Sequence, residues 1–147
     1  MTTVTRSDFL TTRAWHRAVV GDTDFVLRHT SALEFLELFG GYIHEKTIEV
    51  YATRPGDYDN VDYYIVESFD DIDYLSFDNV LCTSIDQTFN DMIFDFDNID
   101  EQALVEGLSR YYYINRKSFN GLEIRPENIE RFNSIKDWVI EYYSGGY

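Results

Sequence analysis

Residues 79–94, reading NVLCTSIDQTFNDMIF, constrain the fold more than any other stretch. Val80, Leu81 and Cys82 form an apolar run too short for a helix and suited to a buried strand. Thr83 and Ser84 follow at once, and Gln87 stands three residues beyond Ser84. That is the spacing of a capping box: a hydroxyl accepts from the amide three residues on, and the Gln side chain reaches back to the cap's own amide. Behind it Ile85, Phe89, Met92, Ile93 and Phe96 recur at helical spacing and line one face. A strand that runs straight into an amphipathic helix needs a sheet beside the strand and a packed layer under the helix.

The rest of the chain supplies both. Ser7 and Asp8 can cap a first helix over residues 9–19, which Gly21 and Asp22 end. Phe25, Val26 and Leu27 read as a brief strand. Thr30 and Ser31 open a second helix, with Ser31 and Glu34 at capping-box spacing and Gly40 and Gly41 as its stop. Residues 47–53 and 61–67 alternate as strands around a turn at Arg54, Pro55, Gly56 and Asp57. Residues 72–77 alternate again, and Asp78 and Asn79 turn the chain back into the apolar run. Asp100 caps a helix over 101–114 with Gly107 inside it, at a cost of about 1 kcal/mol that a closely packed backbone would explain. Pro126 suits the first position of a last helix, faced by Ile129, Phe132, Ile135, Val139 and Tyr142. Residues 144–147 read as a frayed tail.

Strands at short spacing without helices between them predict a largely antiparallel sheet. The expected fold is α/β (α+β): one domain over 1–147, a mostly antiparallel sheet of four or five strands, and about four to five helices. Residues 1–24 are expected as a helical extension and 25–143 as the main unit. The 147 residues suit a single core. No run approaches the ~18 apolar residues of a membrane span, and the first residues carry no apolar leader. A single cysteine allows no internal disulfide and reads as a reducing compartment. The expectation is a soluble, cytoplasmic protein.

Charge excludes more than it assigns. The net charge is −15 and the isoelectric point near 4.3. Between Arg54 and Arg110 stand 15 acids and no Lys or Arg. Nucleic-acid affinity is carried by Lys and Arg, so direct binding to nucleic acid is not expected. The charge fits solubility, a basic protein partner, or imitation of nucleic acid. The histidines, His16, His29 and His44, are scattered, and no zinc-ligand spacing exists. No nucleophile elbow or phosphate loop is present. Asp95, Asp97, Asp100 and Glu101 lack the glycine and terminal acid of a calcium loop. Cys82 sits in an apolar run and reads as an inert thiol; His29 reads as a capping or packing residue. No catalytic, metal or cofactor site is expected. The acids read as a solvated face or as a partner surface.

The order of short motifs carries a resemblance. Thr30, Ser31, Ala32, Leu33 and Glu34 open a helix, and a later strand closes on Val50, Tyr51, Ala52 and Thr53. Thr83 and Ser84 then precede Thr88 and Asp91 at the spacing T-S-x-x-x-T-x-x-D, with helices over 102–113 and 132–143 to follow. In this order the chain, over about residues 25–143, resembles the C-terminal domain of AbiEi-type antitoxins. That family implies a non-enzymatic partner of a nucleotidyltransferase-like toxin in toxin–antitoxin and abortive-infection systems. Many of its members carry an N-terminal winged helix that binds operator DNA; with about two dozen residues before the shared region, none is expected here. The partner surface is expected at Asp57, Asp59, Asp62, Asp70, Asp71, Asp73, Tyr74, Asp78, Asp95 and Asp97, with Tyr58, Tyr63 and Tyr64 beside Tyr74 as its rim. The alternative is an acidic, nucleic-acid-mimicking inhibitor, anti-CRISPR-like, that blocks the basic channel of a defence nuclease.

Overall fold

The computed structural model describes residues 2–40 and 47–143; Gly41, His44 and the tail at 144–147 lie outside them. After a short 3₁₀ turn at Arg6–Asp8, the elements in order are α1 (Thr12–Val20), β1 (Val26–Leu27), α2 (His29–Phe35), β2 (Ile48–Ala52), β3 (Val61–Ile65), β4 (Tyr74–Phe77), β5 (Val80–Thr83), α3 (Ile85–Phe94), α4 (Glu101–Ile114) and α5 (Ile129–Tyr142). This is an α+β fold with one five-stranded sheet in the order β3-β2-β1-β5-β4.

The sheet is mixed, not mostly antiparallel. β1 pairs antiparallel with β2 and β4 with β5, but β1 with β5 and β2 with β3 are parallel. Short spacing points to hairpins; among the described strands only β4 and β5 form one. Their link is Asp78 and Asn79, both with φ near +60°, the type I′ turn that matches strand twist. Residues 53–60 and 66–73 instead return the chain without a helix. β3 and β4 run in the same direction at opposite edges, so 66–73 has to cross a sheet face. The ring of Phe69 meets that of Tyr74 at 6.0 Å, which places the crossing on the face that carries Tyr51, Tyr64 and Tyr74.

The opposite face is the drier one. Leu27, Val50, Ala52 and Cys82 meet Trp15, Val19 and Val20 of α1 and Ala32 and Phe35 of α2 there. The N-terminal helix is therefore core material rather than an extension: Trp15 is fully buried. A second apolar cluster joins Leu33 to Phe89, Met92 and Ile93 of α3, Leu104 and Leu108 of α4, and Phe132, Ile135 and Val139 of α5. α2 is buried along its whole length because it is the wedge between the two clusters. Gly107 faces that wedge. A Cβ there would stand 3.0 Å from a Leu33 methyl and 3.2 Å from the Phe89 ring, so side chains, not a backbone, exclude it.

Local signals held where the cap is local. Ser84 accepts from the Gln87 amide at 3.1 Å and Asp100 from the Ala103 amide at 3.2 Å. Other local signals failed. α1 starts later than Ser7, with Thr11 as its cap. α2 starts at His29, whose φ of 51° makes the turn out of β1, and the Ser31 hydroxyl accepts from the Glu49 amide instead of capping. α2 also stops before the glycines. Glu37 takes the left-handed position at φ 63°, and the Leu38 amide donates to Leu33 O, closing a Schellman motif. Ile129, assigned to the buried face of the last helix, is exposed.

Candidate functional site

Two polar regions lie on and around the Tyr51 face. The first is buried and was not anticipated. Arg28 follows the two-residue β1, and its guanidinium stacks between the rings of Tyr51 and Tyr64 at 4.6 and 4.4 Å. Such stacking suits a planar, weakly hydrated cation taken out of water. Its Nη2 stands 3.4 Å from Asp95 Oδ2. His29 Nε2 lies 2.8 Å from Arg28 Nη2 and 2.9 Å from Asp95 Oδ2, while its Nδ1 lies 3.5 Å from Glu49. One nitrogen cannot both accept from Arg28 and donate to Asp95, so the tautomer decides which contact is a hydrogen bond. The ring of His29 is thus held between Arg28, Asp95 and Glu49.

Next to it, the Tyr51 hydroxyl donates to Asp91 Oδ2 at 2.6 Å, and Gln87 Nε2 donates to Asp91 Oδ1 at 2.8 Å. Burial, and then the bond to Asp91, push the Tyr51 phenol well above its ordinary range. Gln87 does not close the expected capping box. Its Oε1 accepts from the Asp73 amide and from Arg125 Nη2, tying the start of β4 and the chain before α5 to α3. Asn128 Nδ2 donates to Asn90 O and Oδ1 at 3.0 Å, completing a polar seam along α3. An open cleft of about 240 Å³ sits over it, lined by Arg28, Tyr64, Phe94, Asp95, Arg125 and Asn128 among others.

The second region is exposed. Asp62, Glu67, Asp70, Asp71 and Asp73 are exposed, and no ion pair to them occurs among the described residues. They follow β3, the crossing segment and the entry to β4. The other expected acids separate from this group. Asp57 and Asp59 lie in the 53–60 return, where Asp59 accepts from the Thr3 hydroxyl. Asp78 pairs with Arg17 at 2.6 Å, and Asp97 approaches Arg131 at 3.9 Å. Asp95 is spent on Arg28 and His29. Of the four rim tyrosines, Tyr64 and Tyr74 are exposed, but Tyr58 and Tyr63 pack against the core cluster of the opposite face.

Sequence reasoning missed Arg28, Tyr51, Gln87, Arg125 and Asn128 as members of one seam. The available signal was an arginine directly after an apolar strand, next to a histidine and facing the alternating strand of Tyr51. The hydrogen bonds of the seam tie β2, the start of β4 and the chain before α5 to α3. Cys82 is buried, which pushes its thiol up to about 12, and its Sγ lies 3.9 Å from Ala32 O. Among the described residues no group of three or more His, Cys, Asp or Glu could hold a metal ion. Among them, too, no helix is long and apolar enough to cross a membrane. Comparison with protein-family models, curated proteins and solved structures gives no match for this chain.

Proposed function

We propose that this chain is a non-enzymatic, antitoxin-like protein that counteracts a nucleotidyltransferase-type toxin in the cytoplasm of a bacterium, as part of a bacterial or phage defence system. It works by contact, through its acidic surface. One observation carries the reading: five exposed acids between Asp62 and Asp73 have no cationic partner among the described residues, in a stretch that holds 15 acids and no Lys or Arg. Unpaired carboxylates of one sign repel each other and are relieved by a basic partner. The resemblance to AbiEi-type antitoxins supplies the class of that partner. Its motif residues support the scaffold: Thr83 and Thr88 share a hydrogen bond at 2.6 Å, and Asp91 holds Tyr51.

Co-expression with candidate nucleotidyltransferase-type toxins tests the reading. Growth should recover with the wild-type chain, and a co-purified complex should weaken steeply as salt rises. Failure to rescue any such toxin overturns the antitoxin reading. Salt-sensitive capture of a defence nuclease in its place would establish the nucleic-acid-mimicking alternative.

A further inference from the structure

Among the described residues β4 is an edge strand, with β5 as its only strand neighbour. The Ser84 amide donates to Asp73 O at 3.0 Å, which makes Tyr74 and Thr83 a pair that does not exchange hydrogen bonds. By alternation Leu75 and Phe77 bond to β5, while Tyr74 and Ser76 turn their N–H and C=O groups away from the sheet. Apart from Ser76 the side chains along this edge are apolar and partly open: Tyr74 is 41% exposed beside the Phe69 ring, Leu75 40%, and Phe77 53% with the Arg13 guanidinium 5.0 Å over its ring. Natural edge strands of this kind are blunted by Lys, Pro, a bulge or a cover. Residues 74–77 hold neither Lys nor Pro. What flanks them is charge: Asp70, Asp71 and Asp73 at the entry, all without a cationic partner among the described residues, and the Arg17–Asp78 pair at the exit.

We infer that the open edge of β4 is a docking site for an extended, basic segment of a protein partner, added as a sixth strand with its Lys or Arg residues beside Asp70, Asp71 and Asp73. Main-chain bonds to Tyr74 and Ser76 supply affinity. Apolar side chains on alternate positions of the added strand cover Leu75 and Phe77, and the acids select the sign of the partner and its polarity along the edge. A second copy of this chain is the wrong occupant, because it brings the same acids and a net charge of −15 to the same edge. The inference rests on the proposed function only in taking the partner to be a basic protein.

The test uses the full chain and a labelled peptide of alternating valine and threonine with paired lysines at both ends. Binding should slow amide exchange at Tyr74 and Ser76 and leave the other edge, β3, unchanged. The analogue with glutamates in place of the lysines should not bind. Ser76→Pro removes an outward N–H and leaves the β5 ladder intact, so it should weaken binding by about tenfold or more. If Ser76→Pro unfolds the chain, Ser76→Lys keeps the backbone and sets a cation beside the incoming strand, with the same expected direction. Equal binding of the glutamate analogue, protection away from β4, or wild-type affinity in a folded Ser76 variant overturns the inference; so does a homodimer that Ser76→Pro dissolves. Growth rescue by Ser76→Pro at the wild-type level would sink the edge and leave the antitoxin reading standing. Peptide protection at Tyr74 and Ser76 without any rescue would do the reverse.

Discussion

Asp91 and Asp71 belong to the same Lys- and Arg-free stretch, yet the fold treats them in opposite ways. Asp91 is buried on α3 and receives hydrogen bonds from Tyr51 and Gln87. Asp71 stands in solvent on the crossing segment with no partner among the described residues. A buried carboxylate without donors is costly, so every acid that goes inside here comes with them. Charge counted along the chain therefore mixes two populations: acids that hold the scaffold and acids left over for a partner. Substitutions at each should separate them.

The largest effect should come from Asp91→Ala. It leaves the Tyr51 hydroxyl and the Gln87 amide as buried donors without acceptors, and should cost about 3 kcal/mol in chemical denaturation. A loss below about 1 kcal/mol would mean that water replaces the carboxylate and that the contrast with Asp71 is not one of burial. Tyr51→Phe removes one donor and leaves Asp91 its bond from Gln87, so about 1 kcal/mol is expected. It carries a pH signature as well. The native state holds the Tyr51 phenolic proton more tightly than the unfolded chain, in which it leaves near pH 10. That contribution is complete below pH ~10 and is lost as pH rises further. The unfolding temperature of the wild type should thus fall more steeply above pH ~10 than that of Tyr51→Phe, and parallel curves would refute the role of the buried phenol.

A third acid belongs to neither population. Glu37 is exposed, but its backbone carries the left-handed cap of α2. Glu37→Gly should stabilise the chain, by about 0.5 kcal/mol, because glycine takes that conformation without a Cβ clash. The Arg13 contact at 3.9 Å is too long and too exposed to reverse the sign. Thermal unfolding measures this directly.

These residues also show what could be read from the chain alone. Ser84 and Asp100 were legible as caps because donor and acceptor lie within one helical turn. Ser31 was not, since the donor it serves, the Glu49 amide, is remote in sequence. The strands themselves were legible from alternation, but the parallel pairing of β1 with β5 and β2 with β3 was not, because returns such as 53–60 carry no helix to announce them. Of the expected partner acids, Asp62, Asp70, Asp71 and Asp73 do share one run across the sheet. Asp95 and Asp78 were drawn off by Arg28 and Arg17, cations that only folding brings near. Nothing in the spacing of Arg28, Tyr51 and Asp91 marks them as neighbours.

The smallest effect on stability, and the sharpest on binding, should come from reversing Asp70, Asp71 and Asp73 together to Lys. None of the three side chains accepts a hydrogen bond in the described structure, so their loss opens no hole and strands no donor. The reversal also lowers the net negative charge and the repulsion within the crossing segment. Stability should therefore stay within about 0.5 kcal/mol of the wild type, while the lysine-flanked peptide and any basic partner should lose affinity by about tenfold or more at low salt. Calorimetry and a binding titration on one preparation separate the two readouts. A folded triple variant with unchanged affinity would place the partner elsewhere. A destabilised one would move these acids into the population of Asp91.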